Sequence, residues 1–82
     1  MVIVEYEPRF NFLTRKIKDN MLLIKLKKQI KKIIENPKIG KPMRYGRKGT
    51  RELYIKPFRL SYLYLENIDT IVFADLYHKK KQ

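Results

Sequence analysis

Cysteine is absent from this chain of 82 residues, and histidine occurs only once, as His78. Without cysteine the chain can form neither a disulfide nor a thiolate metal site, and a single histidine excludes a multi-histidine metal centre. Those two kinds of metal site are thus excluded, and we expect no cofactor. The lack of cysteine is also compatible with a reducing compartment.

The sequence also lacks a long hydrophobic run. No apolar stretch approaches the roughly 20 residues that a membrane-spanning helix needs. The N-terminal segment reads MVIVEYEP, which is too short and too acidic for a secretory signal. We expect a cytoplasmic protein that has no membrane partner.

Acidic residues are scarce in this chain. Eight Asp and Glu residues stand against twenty Lys and Arg residues, which gives a formal net charge of +12. Such a charge attracts polyanions, so RNA, DNA, an anionic membrane and an acidic protein are all candidate partners, with nucleic acid the first choice. Because 44% of the residues are hydrophobic, the chain can still form a packed core, and its length predicts a single domain over residues 1–82.

The N-terminal half predicts a strand followed by two helices. Val2–Glu7 is rich in β-branched and aromatic residues, and Pro8 suits the first turn of a helix. A second helix over Met21–Glu35 carries an apolar stripe at three- and four-residue spacing. Asn36 and Pro37 end this helix, because a residue before proline avoids helical dihedral angles. The stripe consists of Leu23, Leu26, Ile30 and Ile33.

The C-terminal half predicts a loop and three strands. Residues 37–50 hold all three glycines of the chain, which is typical of a loop. The strands are Arg51–Lys56, Phe58–Leu65 and Thr70–Tyr77, and the short turns between them favour antiparallel pairing. The order β-α-α-β-β-β predicts an α+β fold, in which an N-terminal helical hairpin packs on one face of an antiparallel sheet.

Alternation along the strands separates the two faces of the predicted sheet. Leu60 and Tyr62 share one face, and the amphipathic helices are expected to cover it. Arg59 then points from the opposite face, beside Glu52 and Tyr54 of the preceding strand.

The Arg59 face suits a phosphodiester. Arginine clamps phosphate oxygens, lysine or histidine moves protons near neutral pH, and tyrosine stacks on a base. RNA supplies its own nucleophile, the 2′-hydroxyl, so no serine, cysteine or metal is needed. On residue type alone, an ordinary solvated surface is an equally open alternative for Arg59 and the basic residues of the loop, and it is the favoured interpretation for the lysines of the second helix. The candidate RNA-binding residues are Lys41, Arg44, Arg47, Lys48, Arg51 and Tyr54.

Four segments in order resemble the RelE/ParE superfamily of bacterial and archaeal toxins, and most closely its RelE-type mRNA interferases. The first is the opening strand, followed by Pro8 and two basic amphipathic helices. The others are ENPKIGKPMR at the helix exit, RELYIKPFRLSYLY in the first hairpin and VFADLYHKKK in the last strand and tail. The resemblance spans nearly the whole chain and implies a RelE/ParE-like fold.

The resemblance implies a toxin of a type II toxin–antitoxin system. It further implies that this toxin is an endoribonuclease, which cleaves messenger RNA in the A site of the ribosome by 2′-hydroxyl attack and so inhibits translation. A RelB-like antitoxin, mostly helical and acidic, would neutralise it, and the toxin–antitoxin complex would be a higher oligomer such as a heterotetramer. Two alternatives stay open: a ParE-like toxin that binds DNA gyrase and cuts nothing, and a non-catalytic basic RNA-binding protein.

The resemblance also implies catalytic residues. Arg59 falls on the strand arginine that stabilises the scissile phosphate in the family, and Lys79 or Lys80 falls where the family has a second cationic group. His78 resembles a histidine that transfers protons in one branch of the superfamily. The family's lysine pair on the first hairpin strand is missing here, and Glu52 occupies one of its positions. The candidate general bases are therefore Glu52, His78 and a lysine of the loop or tail.

Overall fold

The computed structural model describes residues 2–43 and 48–78, and it confirms the α+β class and the order of the predicted elements. Within these residues the chain forms two helices and five strands, with a short 3₁₀ turn at Glu66–Ile68. The helices are α1 (Pro8–Arg15) and α2 (Asn20–Glu35). The strands are β1 (Ile3–Tyr6), β2 (Lys41–Pro42), β3 (Thr50–Ile55), β4 (Phe58–Leu65) and β5 (Thr70–His78).

The described strands form one mixed sheet in the order β1-β5-β4-β3-β2. Strands β3, β4 and β5 are antiparallel neighbours, as their short turns predict. The sheet is not antiparallel throughout, however, because β1 lies parallel to β5, with Ile3 opposite Thr70 and Tyr6 opposite Phe73. Turn length predicts the direction of consecutive strands only, and β1 pairs with the last strand of the chain.

Part of the predicted loop also joins the sheet. Lys41–Pro42 forms the edge strand β2, antiparallel to β3, with Lys41 opposite Glu52. Proline cannot donate a ladder hydrogen bond, so an edge strand is where the sheet tolerates it. The segment after α2 therefore positions a basic residue on the sheet instead of leaving it in a loop.

Local signals in the sequence set the helix boundaries. Pro8 occupies the start of α1, where its missing N–H removes no helical hydrogen bond. Asp19 caps α2, since its Oδ1 accepts hydrogen bonds from the backbone N–H of Met21 at 2.9 Å and of Leu22 at 3.3 Å. Asn36 follows the last residue of α2, as predicted from Pro37. Within residues 2–43 and 48–78, neither helix is long and apolar enough to cross a membrane.

The core lies between the two helices and one face of the sheet. Leu60, Tyr62, Ile71 and Phe73 are fully buried there, together with Ile33 of α2. This confirms the prediction that the helices cover the Leu60 and Tyr62 side. The remaining buried members of the cluster are Phe10, Leu26, Ile55 and Leu76.

A β-bulge interrupts the pairing of β4 with β5. Ser61 lies opposite Asp75, whereas the next residue, Tyr62, lies opposite Phe73, so Ala74 is an extra residue without a partner position. The extra residue shifts the alternation of β5 by one. Phe73 and Leu76 consequently both face the core, although an odd number of steps separates them.

Candidate functional site

The sheet face opposite the helices brings together one side chain from each of three adjacent strands. Arg59 Nη1 on β4 donates a hydrogen bond of 2.7 Å to Glu52 Oε1 on β3. The hydroxyl of Tyr77 on β5 donates a hydrogen bond of 2.6 Å to the other carboxylate oxygen, Glu52 Oε2. One carboxylate thus bridges an arginine and a tyrosine, and we call these three residues the Glu52 cluster.

Strand register explains why the three side chains meet. Arg59 lies directly opposite Tyr54 on β3 and directly opposite Tyr77 on β5. Glu52 lies two residues before Tyr54, which places it diagonally across from Arg59 on the same face. The alternation predicted for Glu52, Tyr54 and Arg59 is therefore confirmed.

Glu52 and Arg59 of this cluster line an open cleft of about 460 Å³. Lys41, from the edge strand β2, adds a second cation to the lining. The Tyr54 side chain is 50% exposed at the same cleft. The side chains of Arg59 and Glu52 retain 28% and 21% of their accessible surface, so a solute can reach both partners of the ion pair.

The environment keeps the Tyr77 hydroxyl protonated. Burial raises the pKa of Tyr77 above that of an ordinary tyrosine, and the hydrogen bond to Glu52 and the charge of that carboxylate raise it further. The positive charge of Arg59 acts in the opposite direction. At neutral pH Tyr77 is accordingly a neutral donor to Glu52.

The cleft combines groups with complementary chemistry. Arg59 and Lys41 are cations that bind phosphate oxygens, and Glu52 is a carboxylate that accepts a proton. Tyr54 offers an exposed aromatic ring of the kind on which bases stack. No group of His, Asp and Glu side chains within residues 2–43 and 48–78 is arranged to hold a metal ion.

Two predicted site residues lie away from the Glu52 cluster. Arg51 alternates to the opposite face, and its Nη1 donates hydrogen bonds to the carbonyls of Gly40 at 2.7 Å and Lys38 at 3.1 Å. His78 lies opposite Phe58 and packs edge-on against its ring, with the ring centroids 5.4 Å apart. Strand alternation puts both residues on the helix side, and their proposed roles on RNA stay predictions.

The other predicted residues fall in two groups. Lys48 is exposed in the turn that precedes β3. Arg44, Arg47, Lys79 and Lys80 lie outside the described residues.

Tyr77 is the member of the Glu52 cluster that sequence reasoning missed. Strict alternation from the core residues Ile71 and Phe73 assigns Asp75 and Tyr77 to the core side. Asp75 could have indicated the error, because burying a carboxylate without partners is costly. A bulge before Asp75 avoids that cost, since it turns Asp75 and Tyr77 to the opposite face. In the structure Asp75 forms an ion pair with Arg9, whose Nε lies 3.2 Å from Asp75 Oδ1.

The family model that describes the ParE toxin of the type II toxin–antitoxin system parDE matches residues 4–82. The chain belongs to this toxin family. The match confirms the resemblance to the RelE/ParE superfamily that the sequence motifs indicate.

Solved structures share the fold of this toxin. A chain in the crystal structure of the intact E. coli RelBE toxin–antitoxin complex superimposes with a TM-score of 0.80 at 17% identity, over 95% of this chain and 96% of that chain. Isolated E. coli RelE gives the same TM-score and identity, over 95% of this chain and 84% of that chain. The conserved hypothetical protein HP0892 from Helicobacter pylori matches with a TM-score of 0.59 at 22% identity, over 99% and 98% of the two chains. No curated protein sequence matches this toxin.

Proposed function

We propose that this toxin is an endoribonuclease that cleaves messenger RNA in the A site of the ribosome and thereby inhibits translation. The observation that carries the proposal is the Glu52 cluster, which places a carboxylate against an arginine in an open, basic cleft. A carboxylate held at both oxygens beside an arginine supplies a fixed proton acceptor next to a phosphate-binding cation. The net charge of +12 suits a polyanionic target.

The reaction that fits the cleft uses the RNA's own nucleophile. The 2′-oxygen forms a bond to the adjacent phosphorus, and the bond from that phosphorus to the 5′-oxygen breaks, which leaves a cyclic phosphate. Glu52 accepts the proton of the 2′-hydroxyl, and a protonated group gives one to the departing 5′-oxygen. We propose Lys79 or Lys80 as that acid, because His78 lies on the helix side of the sheet.

Arg59 has the electrostatic role in this reaction. Negative charge develops on the phosphate oxygens as the phosphorus becomes five-coordinate, and a fixed guanidinium stabilises it. The contact of Arg59 with Glu52 uses only Nη1, and a guanidinium carries five N–H donors. Arg59 can therefore turn other N–H donors towards a phosphate, which then competes with Glu52 for the guanidinium.

The proposed regulator is a RelB-like antitoxin. E. coli RelE, which shares the fold, occurs in structures with RelB and with a RelB peptide. An acidic, mostly helical chain would complement the basic surface of this toxin. We propose a toxin–antitoxin complex that is a higher oligomer such as a heterotetramer.

Mapping of cut sites on ribosome-bound messenger RNA tests the proposal. Purified toxin is added to a translation reaction, and Arg59→Ala is compared with Arg15→Ala, which removes the same charge from an exposed position on α1. We expect Arg59→Ala to lose about 100- to 1,000-fold in cleavage rate, as other single transition-state donors do. Equal cleavage by wild type and Arg59→Ala would refute the catalytic assignment of Arg59.

A second candidate function follows from the family match, whose description names a ParE toxin. A ParE-like toxin would bind DNA gyrase and leave messenger RNA intact. A supercoiling assay with purified gyrase distinguishes the two. Inhibition of gyrase by wild-type toxin, together with uncut message in the translation reaction, would favour the second candidate.

A further inference from the structure

We propose that Tyr77 is a positioning residue, which holds the Glu52 carboxylate in place as the proton acceptor while Arg59 engages the phosphate of the RNA. This inference rests on the nuclease function proposed above and adds a residue to its machinery. The geometry that carries it is the division of one carboxylate between two donors: Oε1 to Arg59 and Oε2 to Tyr77.

The need for a second donor follows from competition for Arg59. An RNA phosphate and the Glu52 carboxylate are both anions that bind the same guanidinium, so substrate binding weakens the contact at 2.7 Å. Glu52 then loses one of its two restraints. A glutamate side chain has several rotatable bonds, and its rotamers would disperse unless another contact fixes the carboxylate. The hydroxyl of Tyr77, at 2.6 Å from Glu52 Oε2, provides that contact. Because this hydroxyl is uncharged, the phosphate attracts it less strongly than it attracts the guanidinium of Arg59.

Tyrosine is suited to this role for two reasons. Its ring is rigid and half-buried on β5, so the hydroxyl position is set by the strand rather than by a flexible chain. Its pKa is raised by burial and by Glu52, so the hydroxyl stays protonated and donates at neutral pH. A carboxylate oxygen has two lone pairs, and the Tyr77 contact leaves Glu52 with acceptor capacity for the 2′-hydroxyl.

The kinetic test uses ribosomes programmed with a short message and an excess of toxin, so that one round of cleavage is observed. Tyr77→Phe removes only the hydroxyl. We expect it to lower the maximal single-turnover rate about tenfold or more, with the half-saturating toxin concentration unchanged, because misplacement of a catalytic group by about 1 Å is enough for such losses. Glu52→Gln should be slower still, and Tyr77→Phe should add nothing in the Glu52→Gln background.

Tyr64→Phe is the matched control. Its hydroxyl also donates to a carboxylate, Asp69 Oδ1 at 3.2 Å, but this pair lies at the opposite end of β4, outside the cleft. We expect wild-type rates for this variant. A Tyr77→Phe variant that cleaves as fast as Tyr64→Phe, or whose loss is additive with Glu52→Gln, would overturn the inference.

A second measurement does not depend on cleavage. Carbon-13 labelling of tyrosine rings lets NMR follow the titration of Tyr77, and Glu52→Gln should lower its pKa towards the ordinary value because the negative charge of the carboxylate, which raises it, is removed. An unchanged pKa would show that the contact is absent in solution and would also overturn the inference.

If wild-type toxin leaves ribosome-bound message uncut, the nuclease proposal fails and the role of Tyr77 fails with it. If wild type cuts and Tyr77→Phe cuts equally, only the role of Tyr77 fails.

Discussion

The hydroxyl of Tyr62 ties the segment between α2 and β2 to the sheet. It donates a hydrogen bond of 2.7 Å to the carbonyl of Pro37 and accepts one of 2.9 Å from the N–H of Gly40. The Tyr62 side chain is fully buried, and its contact with Gly40 is buried as well, whereas the contact with Pro37 is part-buried. Because this segment leads directly into Lys41, the buried hydroxyl helps to place the edge of the cleft.

Gly40→Ala should destabilise the protein because no space exists for a Cβ. An added Cβ would lie 2.7 Å from the Tyr62 hydroxyl oxygen and 2.9 Å from the carbonyl oxygen of Glu52. We expect a loss of about 1–3 kcal/mol in the free energy of unfolding, as for other overpacked sites. Urea denaturation measures it, with the exposed neighbour Lys38→Ala as control. Equal stability of the two variants would contradict the close packing at Gly40.

The same tyrosine predicts a pH dependence of stability. Burial raises the pKa of Tyr62 above the value in the unfolded chain, about 10, with opposing effects from the Gly40 hydrogen bond and from Arg51. The folded state then prefers the neutral phenol, so this contribution is fully present below about pH 10 and is lost as the pH rises further. Unfolding free energy measured from about pH 8 to 11 should fall more steeply for wild type than for Tyr62→Phe. Parallel curves would exclude Tyr62 as the source.

At the scale of secondary structure elements, much of the fold could be predicted because local signals are strong. Apolar periodicity, Pro8 and Pro37 located the two helices, and alternation separated Leu60 from Arg59 on β4. The parallel pairing of β1 could not be predicted, since it depends on where the packed helices return the chain. The bulge at Ala74 is an irregularity of the strand register, which alternation does not predict, so Tyr77 was not placed in the site. For the same reason the sequence did not show that the Glu52 carboxylate bridges Arg59 and Tyr77.

Deletions within β5 test this account of the bulge. Removal of Ala74 should leave Phe73 on the core side and Tyr77 on the cleft side, because it restores regular alternation. Removal of Val72 should instead force Ile71 or Phe73 out of the core and shift the register with β1. We expect the second deletion to cost about 3 kcal/mol or more and the first about 1 kcal/mol. Equal losses in thermal denaturation would count against the bulge.

At the scale of the whole molecule, the two faces of the sheet have different charge patterns. The cleft face pairs Arg59 with Glu52, whereas α2 carries exposed lysines with no acidic residue between Asp19 and Glu35. The helices cover the face opposite the cleft, so these lysines cannot take part in the chemistry at Arg59. Their strongest physical effect is long-range attraction of a polyanion, which depends on ionic strength.

Neutralising the α2 lysines should therefore change binding and leave chemistry intact. Lys25, Lys28 and Lys32 are all exposed, and a triple Lys→Gln variant should bind programmed ribosomes more weakly. Each lost phosphate contact should also reduce the slope of log affinity against log salt by about 0.7–0.9. At saturating toxin the single-turnover cleavage rate of the Lys→Gln variant should equal that of wild type. As a control, a triple Lys→Arg variant should retain both the ribosome affinity and the cleavage rate of wild type. Unchanged binding would show that this helix face is merely solvated, whereas a reduced saturating rate would mean that α2 acts on the cleft across the core.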